Sequence, residues 1–95
     1  MDLESTDAFD RWIDGLRDFA GRARIQARIE RLAEGNPGQH RSLIGGICEL
    51  KIDCGPGYRV YYTQRDKVLI ILLAGGDKST QKQDIHKAIA LAQGL

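Results

Sequence analysis

The sequence predicts an α+β fold: a pair of N-terminal helices, a small antiparallel sheet of three to four strands, and a C-terminal helix. Three patterns carry this reading. Phe9, Trp12, Ile13, Leu16 and Phe19, then Ile25, Ile29 and Leu32, repeat at helical spacing. Ile47–Asp53 and Tyr58–Gln64 alternate apolar and polar residues with the period of a half-buried strand, and Val68–Ala74 is unbroken apolar, as in a central strand covered on both faces. Ile85, Ala88, Ile89 and Ala92 restore the helical period near the end of the chain.

Taken in order, Met1–Glu4 is short and acidic and suits nothing firmer than a stunted edge strand. Ser5-Thr6-Asp7 supplies N-cap residues for the first helix, and Trp12 on its apolar stripe reads as core. Gly21 marks the break to a second helix over about residues 22–33, with Gly35 beyond its end. Arg22, Arg24, Arg28 and Arg31 cover much of that helix and read as a solvated face. Residues 36–41, Asn-Pro-Gly-Gln-His-Arg, read as a loop in which His40 is a bystander.

In the meander, Cys48, Leu50 and Ile52 face one way and Glu49, Lys51 and Asp53 the other. Matching the apolar faces sets Leu50 opposite Val60, and therefore Lys51 opposite Arg59. Like charges across a strand pair repel, so this face needs Glu49 and Asp53 on its diagonals, or a bound phosphate, to neutralise it. Arg59 is expected to stand mostly exposed on that polar face. Cys54-Gly55-Pro56-Gly57 and Arg65-Asp66 carry the turns. Gly75-Gly76-Asp77-Lys78-Ser79-Thr80 closes the meander as a loop. Its Lys-Ser pair lacks the glycines of a P-loop, which excludes nucleotide hydrolysis on that ground. Thr80 and Gln83 form a capping box for the last helix, and His86 lies in its second turn.

Composition narrows the function. Residues 1–95 make one domain, which buries about 60–70% of its unfolded surface. Fourteen basic residues against 13 acidic exclude a generic polyanion binder, though not a local basic patch. No apolar run approaches ~18 residues and no signal-peptide pattern opens the chain, so a cytoplasmic protein with no membrane contact is expected. Cys48 and Cys54 are about 20 Å apart on an extended strand at ~3.3 Å per residue, beyond disulfide reach. They read as free thiols, with no metal site and no cofactor.

Several segments resemble one family. Residues 26–32 (Gln-Ala-Arg-Ile-Glu-Arg-Leu), Gly35-Asn36-Pro37-Gly38, Glu49-Leu50-Lys51-Ile52, the run Gly55–Tyr62 and the Gly-Gly-Asp-Lys core within 72–85 are similar to the RelE/ParE toxin superfamily, and more narrowly to its HigB-like "addiction module killer" branch. The resemblance spans nearly the whole chain. It implies a RelE-like fold and the toxin of a type II toxin–antitoxin system. RelE-like members are ribosome-dependent mRNA endoribonucleases (mRNA interferases) that inhibit translation: the ribose 2′-hydroxyl attacks the adjacent phosphate and leaves a cyclic phosphate, without a metal. The implied partners are a cognate antitoxin carrying a helix-turn-helix, the ribosome and mRNA, with DNA contacted only through the antitoxin complex.

Carried over by position, Lys51 matches a basic strand residue that contacts the RNA backbone, and Arg59 matches the arginine that binds the scissile phosphate. Lys78 falls where RelE has an arginine that stabilises transition-state charge. Two positions depart: Glu49 stands where RelE is basic, and Ile85 or His86 stands near RelE's helix tyrosine. Arginine and lysine remain charged at neutral pH and suit a phosphorus centre gaining negative charge. Glu49, on the correct face, and His86, which titrates near neutrality as a residue type, are the two candidates for general base. Two alternatives stay open: a ParE-like, non-enzymatic inhibitor of DNA gyrase acting through helix surfaces, and an inactive antitoxin-binding module.

Overall fold

A computed structural model describes residues Met1–Leu95. The elements are β1 (Asp2–Ser5), α1 (Asp7–Asp14), α2 (Phe19–Ala33), β2 (His40–Ser42), β3 (Cys48–Ile52), β4 (Tyr58–Arg65), β5 (Leu69–Gly76) and α3 (Gln81–Gln93), with 3-10 turns at Ile44–Gly46 and Lys78–Thr80. The fold is α+β, with three helices and a five-stranded sheet in the order β1-β5-β4-β3-β2. The predicted meander forms its centre, and Leu50 faces Val60 while Lys51 faces Arg59, as the apolar pattern requires.

The sheet is wider than the sequence indicates. β1 does form, and it pairs parallel with β5, so the sheet is mixed rather than purely antiparallel. Residues 40–42, read as loop, form edge strand β2 against β3. Three exposed polar residues show no alternation, so only pairing with β3 reveals them as a strand. β5 also runs on through Gly75 and Gly76, which the sequence places in a loop.

The helices divide between the two faces. α1 and α2 cover Leu50, Ile52, Tyr58, Val60, Tyr62, Ile70 and Leu72, whereas α3 covers Tyr61, Ile71, Leu73 and Ala74 through Ala88 and its neighbours Ile85, Ile89 and Ala92. No helix is long and apolar enough to cross a membrane.

The break between α1 and α2 lies at Gly15–Asp18, not at Gly21. Asp18 caps α2 by accepting from Gly21 N at 2.9 Å, and its other oxygen accepts from the Tyr58 hydroxyl at 2.8 Å. Gly21 lies inside α2, and glycine is needed there because a Cβ would come within 2.5 Å of the Asp18 carboxylate and 2.6 Å of the Tyr58 ring. Phe19 consequently opens α2 and is 75% exposed rather than core. Arg28 is likewise not part of a solvated stripe. It donates to the carbonyls of Lys51, Pro37 and Gln39 at 2.8, 3.0 and 3.0 Å, tying α2 to β3 and to the loop entering β2.

α3 starts without the predicted capping box. The Thr80 side chain makes no cap bond and instead donates to Asp84 Oδ2 at 2.6 Å, while Asp77 caps the preceding 3-10 turn through Ser79 N at 2.8 Å. The Ser79 bonds hold the Asp77 carboxyl below its ordinary range.

A candidate anion-binding cleft

On the α3 side of the sheet, two rows of side chains run across the strands. Arg41, Glu49 and Tyr61 form one row, and Lys51 and Arg59 form the other. α3 lies over β4 and β5 but leaves the β2–β3 part of this face open. The result is a cleft of about 400 Å³ lined by Gln39, His40, Arg41, Glu49, Lys51, Arg59 and Gln81, with no apolar side chain among them. Arg41, Lys51 and Arg59 there face one carboxylate, Glu49.

A bulge makes this geometry possible. Tyr61 pairs with Ala74 but Tyr62 pairs with Leu72, so Leu73 is an extra residue in β5. The insertion reverses which residues face each side beyond it. Gly76 therefore lies opposite Arg59 on the cleft face, where a Cβ would collide with the Asp84 carboxylate, and Gly75 turns toward Trp12 on α1.

Arg59 departs from expectation in one respect. It shares the face of Lys51, as the register requires, yet it is only 6% exposed. The glycine turn before β4 folds back over it: Gly57 has φ +79°, a left-handed conformation that favours glycine, and its carbonyl accepts from Arg59 Nη1 at 2.6 Å. Lys78 closes the other side of that turn. A Cβ on Gly57 would lie 3.1 Å from Arg59 Nη1 and 3.6 Å from Lys78 Cβ. Lys78 itself is exposed at the rim, and Lys51 is half-buried in the cleft wall.

Glu49 is 3% exposed and is held from three elements. Arg41 Nε donates to Oε1 at 2.8 Å and Gln81 Nε2 donates to Oε2 at 3.0 Å, while Arg59 Nε lies 3.8 Å from Oε2. Burial pushes its pKa up, but the hydrogen bonds from Arg41 and Gln81 and the Arg41 charge outweigh burial, so the carboxyl sits below its usual range. Arg41 is raised in return, chiefly by its bond to Glu49. Beneath them the Tyr61 hydroxyl is fully buried without a hydrogen-bond partner, and burial followed by the Glu49 charge raises its pKa.

Of the five residues singled out from sequence, Glu49, Lys51 and Arg59 meet in the cleft and Lys78 stands beside it. His86 does not join them: it is exposed on α3 with Lys82 and Gln83, away from the cleft. Sequence reasoning missed Arg41 and Gln81. Arg41 is hidden in a polar triplet with no periodicity, and Gln81 reads as an ordinary first-turn residue. No three His, Cys, Asp or Glu side chains gather as a metal site, and Cys48 and Cys54 are free thiols.

Comparisons with known proteins bear on this arrangement. The family described as phage-derived protein Gp49-like (DUF891) matches residues 11–94. An uncharacterized protein of Haemophilus influenzae is 50% identical over 95 residues, spanning 100% of this chain and 96% of that protein. Among solved structures, a mutant of the E. coli toxin RelE in its free state superposes with a TM-score of 0.71, covering 94% of each chain at 18% identity, a likeness that establishes the fold. Because the family match runs from within α1 through the cleft strands to the end of α3, the chain belongs to the Gp49-like family and carries its cleft on a RelE-like fold.

Proposed function

We propose that this protein is the toxin of a toxin–antitoxin pair and acts as a ribosome-dependent mRNA endoribonuclease. The observation that carries the reading is Arg59: a buried guanidinium on the floor of a wholly polar cleft, directly across the sheet from Lys51. A fixed cation in a partly water-excluded site stabilises charge far better than one in bulk solvent. Arg59 binds the scissile phosphate. Lys51 contacts the RNA backbone and helps activate the 2′-hydroxyl, and Lys78 at the rim stabilises charge as the cyclic phosphate forms. The 2′-oxygen gives up its proton to water and bonds to phosphorus, the 5′-oxygen of the next nucleotide leaves and takes a proton from water, and no metal is needed. His86 lies outside the cleft, which argues against it as general base.

Family membership and fold together support a cognate antitoxin as partner; that it is encoded alongside and carries a helix-turn-helix is what the resemblance to RelE-like toxins implies. The ribosome and mRNA are the targets, and the site of action is the cytoplasm. The experiment is to induce the protein and map mRNA ends and DNA supercoiling in parallel. New mRNA ends within codons, dependent on translation, support the reading. Intact mRNA with lost negative supercoiling replaces it with gyrase inhibition, and no effect on either leaves an antitoxin-binding module.

A further inference from the structure

Glu49 has the wrong surroundings for a general base. A base must offer a free lone pair to the substrate and a proton affinity near the working pH. Here the carboxylate is only 3% exposed, both oxygens already accept hydrogen bonds, Oε1 from Arg41 and Oε2 from Gln81, with Arg59 beside the latter, and those donors lower its basicity. The same surroundings suit another task. Arg41 is bound through Nε alone, although 58% of its side chain is exposed, and Arg59 is bound through Nη1 to Gly57. Each arginine therefore keeps nitrogens without a protein partner, on the one polar cleft that both line.

We propose that Glu49 is a positioning residue that aligns Arg41 and Arg59 on one phosphodiester, which makes Arg41 a second substrate contact. An exposed arginine left free loses rotamer entropy when it binds an anion; one already held by a buried carboxylate has lost much of it beforehand. Two aligned forks grip a phosphate with more geometric specificity than one. Gln81 links the alignment to the first turn of α3, so β2, β4 and α3 all meet on the one carboxylate that β3 carries. The inference rests on the anion-binding part of the proposed function.

The carboxylate has opposite effects on binding and on turnover, and this makes the role testable. Glu49 repels a phosphate, so Glu49→Gln is expected to bind RNA as tightly as wild type or more tightly. Misaligned arginines are expected to slow cleavage roughly 10²-fold, the loss typical of about 1 Å of misplacement. Single-turnover cleavage on programmed ribosomes gives the rate. Titration with a short 2′-O-methyl oligoribonucleotide, which cannot be cleaved, gives the affinity off the ribosome.

Arg41→Ala should weaken oligonucleotide binding several-fold, and adding it to Glu49→Gln should lower the rate little beyond the worse single variant. A Glu49→Gln protein that cleaves at the wild-type rate overturns the inference. So do rate losses that multiply, because a general base acts independently of Arg41. If Glu49→Gln does not fold, Gln81→Ala loosens the same carboxylate, and additivity with Arg41→Ala again overturns the role. Should the wild type cleave nothing on ribosomes, the proposed function fails while the oligonucleotide arm still decides this one: unchanged affinity in Arg41→Ala removes Arg41 as a contact.

Discussion

Replacing Arg59 by alanine should damage both the fold and the activity, by separable amounts. At 6% exposure the side chain gives up its hydration on folding, and its Nη1 bond to the Gly57 carbonyl at 2.6 Å is a charge-assisted one. Losing such a bond costs about 1.5–3 kcal/mol. The full penalty of an orphaned buried carboxylate is avoided, because Arg41 and Gln81 still hold Glu49 at 2.8 and 3.0 Å. A loss of about 2 kcal/mol lowers the melting temperature of a domain this size by roughly 8–16 °C.

On the proposed function, the catalytic cost is larger. Removing one donor to a developing oxyanion lowers the rate on the order of 10²–10³-fold, about 3–4 kcal/mol. Thermal melts and cleavage on programmed ribosomes, measured below the variant's melting temperature, separate the two. Arg59→Lys keeps the charge but not the fork, so it should recover part of the stability and less of the rate. A variant melting within 1–2 °C of wild type would refute the burial argument. A folded Arg59→Ala protein cleaving normally would remove this arginine from the chemistry.

Two further outcomes follow from the packing. Gly75→Ala places a methyl group against the Trp12 ring, and overpacking of this kind costs about 1–3 kcal/mol; chemical denaturation should show the loss, and Trp12→Leu in the same chain should recover part of it. Stability should also fall in alkali. Tyr58 and Tyr62 are each pushed up to about 12, the first by burial and its bond to Asp18, the second by burial and the neighbouring Cys48. A tyrosine raised above its unfolded value of about 10 stabilises the fold fully below pH 10 and loses that contribution as pH rises through 12. Melts should therefore drop between those values, and Tyr58→Phe should flatten part of the decline. A pH-independent melting temperature across that window contradicts the assignment.

Much of this protein is legible in its residue order, because strand and helix periods report burial locally. The alternation of 47–53 and 58–64 fixes the central register, and with it the facing of Lys51 and Arg59. The stripe Ile85, Ala88, Ile89, Ala92 correctly names the buried side of α3. What the periods cannot report is which surface a neighbouring element covers. Arg59 is polar and alternates outward, yet the Gly57 turn encloses it. Arg28 resembles its solvated neighbours, yet three distant carbonyls capture it. Gly21 has the composition of a helix breaker, but its role is set by a tyrosine 37 positions away. The bulge at Leu73 has no signature inside an all-apolar run, although it alone brings Gly76 opposite Arg59. The candidate cleft follows the same division. Its charges are written in β3 and β4, whereas Arg41 and Gln81 enter only when an edge strand and a helix terminus, far apart in the chain, close on the same carboxylate.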